Sequence, residues 1–345
     1  MKKGTNNPYT LIFGKLPTEN IPRIVEYNEV LESFENDPPN QQTYMITGVR
    51  GCGKTVFMTE LAQELRKRDD WIVVELSTSQ DLLLNLAQIL YNENQLVKLL
   101  KHGGGFSLLG FGVQVNGTTE ITNSQLAIKE ALKRFKKQNK KLLVCIDEII
   151  ANDYVKEFVS LYQIFIREDL PLYLIMTGLY ENISDLRDEK NLTFLYRAPE
   201  IKLKPLNKGT IAENYIKNIG VTQTVATEMA ELTKGYSFAF QVLGYFTYKH
   251  EGNYKEALPE YRQYLEDYVY EKLWSELSQG DKKILYAIAK TKNAKAKDIM
   301  EIAGIKNNEY TPYRKRLIKK MIVDGEEYGY LKLTLPLFDE FILRQ

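Results

Sequence analysis

Lys54, Thr55, Asp147 and Glu148 are residues whose types and spacing could do chemistry on a polyphosphate. Residues 48 to 55 read Gly48-Val49-Arg50-Gly51-Cys52-Gly53-Lys54-Thr55, which fills every fixed position of G-x-x-x-x-G-K-[ST]. Glycines let the backbone curl so that successive N–H groups converge on an anion. The N-terminus of a following helix adds positive potential. A lysine at this point reaches β- and γ-phosphates, and the adjacent hydroxyl ligates Mg2+. The plain alternative is a structural strand-to-helix turn. The context favours a phosphate cradle, because "YMIT" precedes the loop as a strand and a helical pattern follows from Val56. Gly48 to Val56 are therefore the expected nucleotide-binding residues. Lys54 is expected to face solvent as a ligand group.

The acidic pair supplies the second half. "LLVCIDEI" is an apolar strand ending in Asp147 and Glu148. A strand-end aspartate can hold Mg2+, and an adjacent glutamate can polarise a water in line with the γ-phosphate. If strand geometry persists through the pair, the two side chains leave on opposite sides and cannot share one job. Asp147 is then the metal ligand with Thr55, and Glu148 the catalytic base with Lys54 beside the phosphates. The pair and the loop together predict binding of ATP with Mg2+. The stretch "GGGFSLLGFGVQVNG", residues 103 to 117, lacks a lysine after its glycines. It reads as a hairpin or mobile loop rather than a second nucleotide site.

The elements that must position these groups alternate along the chain. "TYMITG", "WIVVELS", "KLLVCIDEII", "LPLYLIMTG" and "EIKLKPL" read as strands, three of them continuously apolar. Between them "VFMTELAQELRKR", "SQLAIKEALKRFKKQ" and "YVKEFVSLYQIFIRE" carry apolar residues at three-to-four spacing. That alternation predicts an α/β fold built on a parallel sheet. From Asn207 to Leu277 the strands give way to helical patterns, with stops at Gly220 and Gly235. Tyr261, Tyr264 and Tyr268 share a helical face with Leu265 and Val269, which reads as core packing ahead of a base-stacking platform. Three short helical patterns and a charged-turn hairpin close the chain, the third helix starting at Thr311-Pro312. Three helices and a wing predict a winged helix-turn-helix. The expected domains are 1–206, 207–277 and 278–345.

Composition narrows the class. With 44% hydrophobic and 26% charged residues the chain is globular in character. Two cysteines, Cys52 and Cys145, make no disulfide framework, and two histidines exclude a multi-histidine metal site. The start "MKKGTNNPYT" lacks the apolar stretch of a signal peptide, and no run is long enough for a membrane span. A cytoplasmic protein without a membrane partner is expected. Net charge is +1, yet residues 281–345 hold 14 Lys/Arg against 9 Asp/Glu. That bias points to the C-terminal end as the anion-facing one.

The pairing of "GVRGCGKT" with "LLVCIDEI" resembles an AAA+ P-loop ATPase. "IMTGLYENI", "LYRAPEIKLKPL" and "LTKGYSFAFQVLG" are similar to the archaeal and bacterial branch related to origin-recognition initiators, which also contains the STAND signal-transduction ATPases. The C-terminal "YTPYRKRLIKKMIVDGEEYGYLKLTLPLFDEFI" looks like the winged-helix end of bacterial members. The resemblance implies an AAA+ core, a helical lid and a C-terminal winged helix. It implies that Thr177 sits at the sensor-1 position, reporting the γ-phosphate. Arg197 in "LYRAPE" matches either a trans arginine finger or a sensor within the same subunit, with a surface salt bridge as the plain alternative. "IPRIVEY" resembles a segment near the adenine, which makes Pro22 and Arg23 nucleotide contacts. Where initiators place a lid arginine, this sequence has "GYSFAFQVLG", and Ser237 stands where STAND proteins often carry a proline. That departure implies slow turnover.

Two uses follow. The first is an ATP-hydrolysing switch that binds ATP or ADP, self-associates, and re-aims a winged helix on double-stranded DNA, with Arg314, Lys315, Arg316 and Lys319 contacting phosphates. The second is a STAND-like signalling or scaffold protein whose winged helix binds protein. A small-molecule kinase shares the glycine loop but fits adjacent strand-end acids less well.

Overall fold

Both faces of the central strands are covered, which is why their sequences are mostly apolar. A computed structural model describes residues 6–12, 14, 16–92, 111–115, 118–121, 123–291 and 293–345. The chain divides into two compact units. One comprises residues 24–47 and 57–202; the other comprises 1–23, 48–56 and 203–345.

The first unit is the α/β one. After helix α1 (Ile24–Glu35) come β1 (Thr43–Thr47), α2 (Lys54–Arg66), β2 (Trp71–Leu76) and α3 (Leu82–Asn92). Strands β3 (Phe111–Val115) and β4 (Thr118–Ile121) pair antiparallel. They answer in part to the hairpin expected at 103–117, whose earlier residues lie outside the described ones. There follow α4 (Ser124–Lys137), β5 (Lys141–Ile146), α5 (Asp153–Arg167), β6 (Leu172–Gly178), α6 (Tyr180–Asp188) and β7 (Glu200–Lys202). The sheet is parallel with order β2-β5-β6-β1-β7. Asn123 and Asn152 start α4 and α5 by accepting from Leu126 N–H and Val155 N–H, each at 2.9 Å. One large cluster joins Leu86, Ile128, Phe135, Val144 and Phe158. Phe34, Trp71 and Tyr173 form an aromatic group of their own.

A buried ion pair braces the end of β1. Arg187 Nη1 stands 2.6 Å from Glu200 Oε2, their side chains 12% and 14% exposed. Thr47 Oγ1 donates to the other Glu200 oxygen at 2.8 Å. Burial alone would raise the Glu200 pKa, but the bonds from Arg187 and Thr47 outweigh it and hold it below its ordinary value. Arg187→Ala strands that carboxylate without its cation and should cost about 3 kcal/mol by urea unfolding at neutral pH. The lowered pKa means the stabilisation is present above the unfolded carboxylate pKa. It is lost as pH falls through the folded value, so the gap between parent and variant narrows in acid.

The second unit is helical. It contains α7 (Lys208–Ile219), α8 (Gln223–Thr233), α9 (Ser237–Lys249) and α10 (Tyr254–Leu265), followed by a π-turn at Glu266–Tyr270 and α11 (Glu271–Ser275). The expected glycine stops fall at left-handed positions, with φ +81° at Gly220 and +74° at Gly235. A Cβ on Gly235 would stand 2.5 Å from the Leu206 carbonyl, so no larger residue fits. The π-turn splits the tyrosine face: Tyr261 and Tyr270 are buried, whereas Tyr264 and Tyr268 stack at 4.2 Å, with Tyr268 46% exposed.

The C-terminal segment holds α12 (Gln279–Lys290), α13 (Ala296–Ala303), α14 (Asn307–Lys319), β8 (Val323–Asp324), β9 (Lys332–Leu333) and α15 (Phe338–Ile342). β8 and β9 pair antiparallel. Helix α14 does not start at Thr311-Pro312 as expected. Glu309 caps the Lys306 N–H at 3.0 Å and begins the helix at Asn307, leaving Pro312 inside it. Among the described residues, no helix is long and apolar enough to cross a membrane.

Candidate nucleotide site

The glycine loop runs from β1 into α2, and two of its glycines take backbone angles that other residues rarely adopt. φ is +76° at Gly51 and +97° at Gly53. Cys52 N–H donates to the Val49 carbonyl at 3.2 Å, closing a tight turn. Lys54, the first residue of α2, donates from Nζ to the carbonyls of Gly48 at 3.0 Å and Val49 at 3.1 Å. It is only 9% exposed, so the expectation of a solvent-facing lysine is corrected. The curl brings two carbonyls within reach of the ammonium, and the loop itself satisfies the cation. Thr55 and Val56 follow in the first turn of α2, both half-buried.

The carbonyl side of the loop is held by residues far along the chain. Tyr236 Oη donates to Arg50 O at 2.5 Å, Phe238 N–H to Gly51 O at 3.1 Å, and Ser237 Oγ to Cys52 O at 2.9 Å. Arg23 joins them, with Nη2 donating to Cys52 O at 3.1 Å and Nη1 to Lys204 O. Arg23 was expected as a nucleotide contact. The structure instead spends its guanidinium on backbone carbonyls, because the curled loop turns the Cys52 carbonyl towards it. Pro22, beside it, is exposed. Arg50 reaches Glu276 at 3.4 Å.

In the α/β unit, strand register brings Thr177 beside the acidic pair. Ile146 faces Met176 across β5 and β6, so the next positions are Asp147 and Thr177. Thr177 is fully buried, and its hydroxyl donates to Asp147 Oδ1 while accepting from Glu148 N–H at 3.2 Å. Ile149 N–H donates to the Thr177 carbonyl at 2.8 Å. These bonds hold Glu148 at φ +49°, a left-handed conformation that costs a non-glycine residue energy. Strand geometry therefore does not persist through the pair: β5 ends at Ile146, and strand alternation does not set the directions of Asp147 and Glu148. Asp147 is half-buried and Glu148 exposed. Asp147 offers hard carboxylate oxygens of the kind that Mg2+ takes.

The remaining candidates lie apart from these groups in the chain. Arg197 is exposed and ends a 3-10 turn at Thr193–Arg197. On α14 the arginines depart from the expected phosphate-contact role. Arg316 donates from Nε and Nη2 to buried Asp281, at 3.0 and 2.7 Å, and from Nη2 to Ser278 Oγ at 3.0 Å. Arg314 Nη2 donates to Gly325 O at 2.9 Å. Both guanidiniums bond within the segment, Arg316 with its side chain still 43% exposed. Lys315 and Lys319 are exposed.

Residues 21–211 match the family described as an ATPase domain predominantly from Archaea, more than half of the chain. The chain belongs to this ATPase family. Within the matched span of this archaeal-type ATPase lie the glycine loop, Asp147, Glu148, Thr177 and Arg197. Residues 267–342 match a second family, described as a domain of unknown function (DUF8462), which begins in the π-turn. No curated protein matches the chain. Among solved structures it is similar to the Walker-type ATPase PABY2304 of Pyrococcus abyssi. Identity is 18% over 94% of this chain and 96% of that one, with a TM-score of 0.67. It is also similar to the Aeropyrum pernix ORC2 protein in ADPNP–ADP complexes, at 14% identity over 96% of each chain and a TM-score of 0.61. These likenesses show that the chain shares its fold with the Walker-type ATPase and the ORC2 protein.

Proposed function

We propose that the chain is a Mg-dependent ATP-binding and ATP-hydrolysing switch. The observation that carries this is the glycine loop, whose left-handed Gly51 and Gly53 and lysine-to-carbonyl bonds form a curl suited to an anion. Lys54 exchanges two neutral carbonyls for charged phosphate oxygens, a gain because charge-assisted bonds are the stronger ones. Asp147 offers carboxylate oxygens of the kind that would hold Mg2+, which when bound neutralises charge on the β- and γ-phosphates. Thr177 fixes the Asp147 carboxylate and the Glu148 backbone. Glu148, exposed on a strained turn, takes a proton from the attacking water. Arg197 is the candidate for stabilising charge on the transferred phosphoryl group, from its own subunit or from a neighbour in a self-associated form. Soluble, cytoplasmic action and a helical lid over 207–277 belong to the same reading.

The ORC2 protein to which this chain is similar was solved with ADPNP and ADP. That likeness supports ATP and ADP as the ligands here. We extend the proposal to double-stranded DNA as the target of a winged helix within 278–345. Its basic excess and the exposed Lys315 and Lys319 support this. Contacts by those two lysines predict duplex binding that weakens steeply with salt. Replacing both by alanine should flatten the slope by about two. One observation favours the second reading, in which the segment docks protein: Arg314 and Arg316 are engaged within the segment. An absence of duplex binding even at low salt would decide for protein docking.

A further inference from the structure

The start of α9, Tyr236-Ser237-Phe238, engages the glycine loop in a way that the nucleotide reading alone does not require. Three consecutive loop carbonyls, those of Arg50, Gly51 and Cys52, accept from three consecutive residues. Arg23 doubles the bond to Cys52 and stands 3.4 Å from Ser237 Oγ. The approach is close: a Cβ on Gly51 would stand 2.3 Å from Tyr236 Oη and 3.1 Å from Phe238 Cβ.

Peptide planarity gives these contacts a consequence. In a trans peptide the carbonyl of one residue and the N–H of the next point in opposite directions. Fixing the Arg50 carbonyl therefore fixes the Gly51 N–H, and fixing the Cys52 carbonyl fixes the Gly53 N–H. The Cys52 N–H is taken by the turn to Val49. Gly51 and Gly53 are also the two loop residues with positive φ, free of the side-chain sterics that would otherwise restrain their planes.

We infer that Tyr236, Ser237 and Arg23 are positioning residues for phosphate binding. They grip the loop's carbonyls on one side and thereby aim the Gly51 and Gly53 N–H groups at the phosphates on the other. The inference rests on the nucleotide-binding reading and deepens it. It gives the Ser237 hydroxyl a function at a helix start, Tyr236-Ser237-Phe238, that carries no cation of its own. The loop is preorganised by this grip, so less ordering is left to be done when the anion binds.

The test uses the full chain with two probes, ATP and inorganic tripolyphosphate, alongside thermal melting. Tyr236→Phe and Ser237→Ala should each weaken both probes by about fivefold, the scale of one neutral hydrogen bond. The double variant should lose the product of the two, and Ser237→Thr should recover most of the single loss. Arg23→Ala, at a half-buried position, should show the same equal loss and serves if Tyr236→Phe does not fold. Equal factors for the two probes assign the effect to phosphate-facing groups. A loss confined to ATP would overturn the inference, as would Ser237→Ala binding like the parent while Lys54→Ala does not bind. A parent chain that binds neither probe would remove the nucleotide reading and this inference with it.

Discussion

Glu148→Gln should slow ATP hydrolysis by about 10³-fold and leave ATP affinity within about twofold of the parent, within the range for losing a positioned base. The substitution keeps size and hydrogen-bonding reach and removes only the charge that draws a proton from water. Binding survives because Glu148 is held by its backbone, through the N–H bond to Thr177, and the side chain carries none of that bond. The left-handed backbone at Glu148 persists in the variant, since glutamine meets the same sterics. Single-turnover hydrolysis with nucleotide titration on the same samples reads both quantities. Hydrolysis at the parent rate would mean that Glu148 is not the base. Weakened binding with unchanged hydrolysis would give it a ligand role instead.

Lys54→Ala should reduce ATP affinity by about 10² to 10⁴-fold, the scale of one or two charge-assisted hydrogen bonds. The structure sharpens this expectation. Lys54 is buried against the Gly48 and Val49 carbonyls, so removing it also frees two acceptors and loosens the curl. Some loss of stability accompanies the loss of binding, and melting temperature must be followed beside affinity. Lys54→Met, which keeps the apolar stem and drops the ammonium, separates the two. It should lose ATP as completely as Lys54→Ala while melting nearer the parent. Should Lys54→Met bind ATP like the parent, the ammonium is structural and the cradle is not a phosphate site.

The sheet was legible because buried parallel strands favour apolar residues: β1, β5 and β6 are covered on both faces and mostly apolar. The loop was legible because its chemistry needs glycine, lysine and hydroxyl at fixed separations. Helix α3 was not anticipated. Its "LLLNLAQILYN" buries Leu82, Leu86, Ala87 and Leu90, but no charged residue marks the opposite face. What stayed hidden depends on partners distant in sequence. Glu148 leaves strand geometry through Thr177, 29 residues on, and Arg316 bonds to Asp281, 35 residues back. Ser237 reaches Cys52 across 185 positions, and local pattern carries no trace of such a contact. The start of α14 was misplaced because a capping carboxylate at Glu309 outweighed the proline signal at Pro312.

The central claim is that this chain binds ATP in the glycine loop and hydrolyses it with Mg2+. It is tested most directly by titrating the full chain with ATP in the presence and absence of Mg2+ while following phosphate release. The account predicts saturable binding, strengthened by Mg2+, with slow release of phosphate that Lys54→Met and Glu148→Gln each abolish, the first by loss of binding and the second by loss of chemistry. A parent chain that shows no saturable binding of ATP or ADP would contradict it.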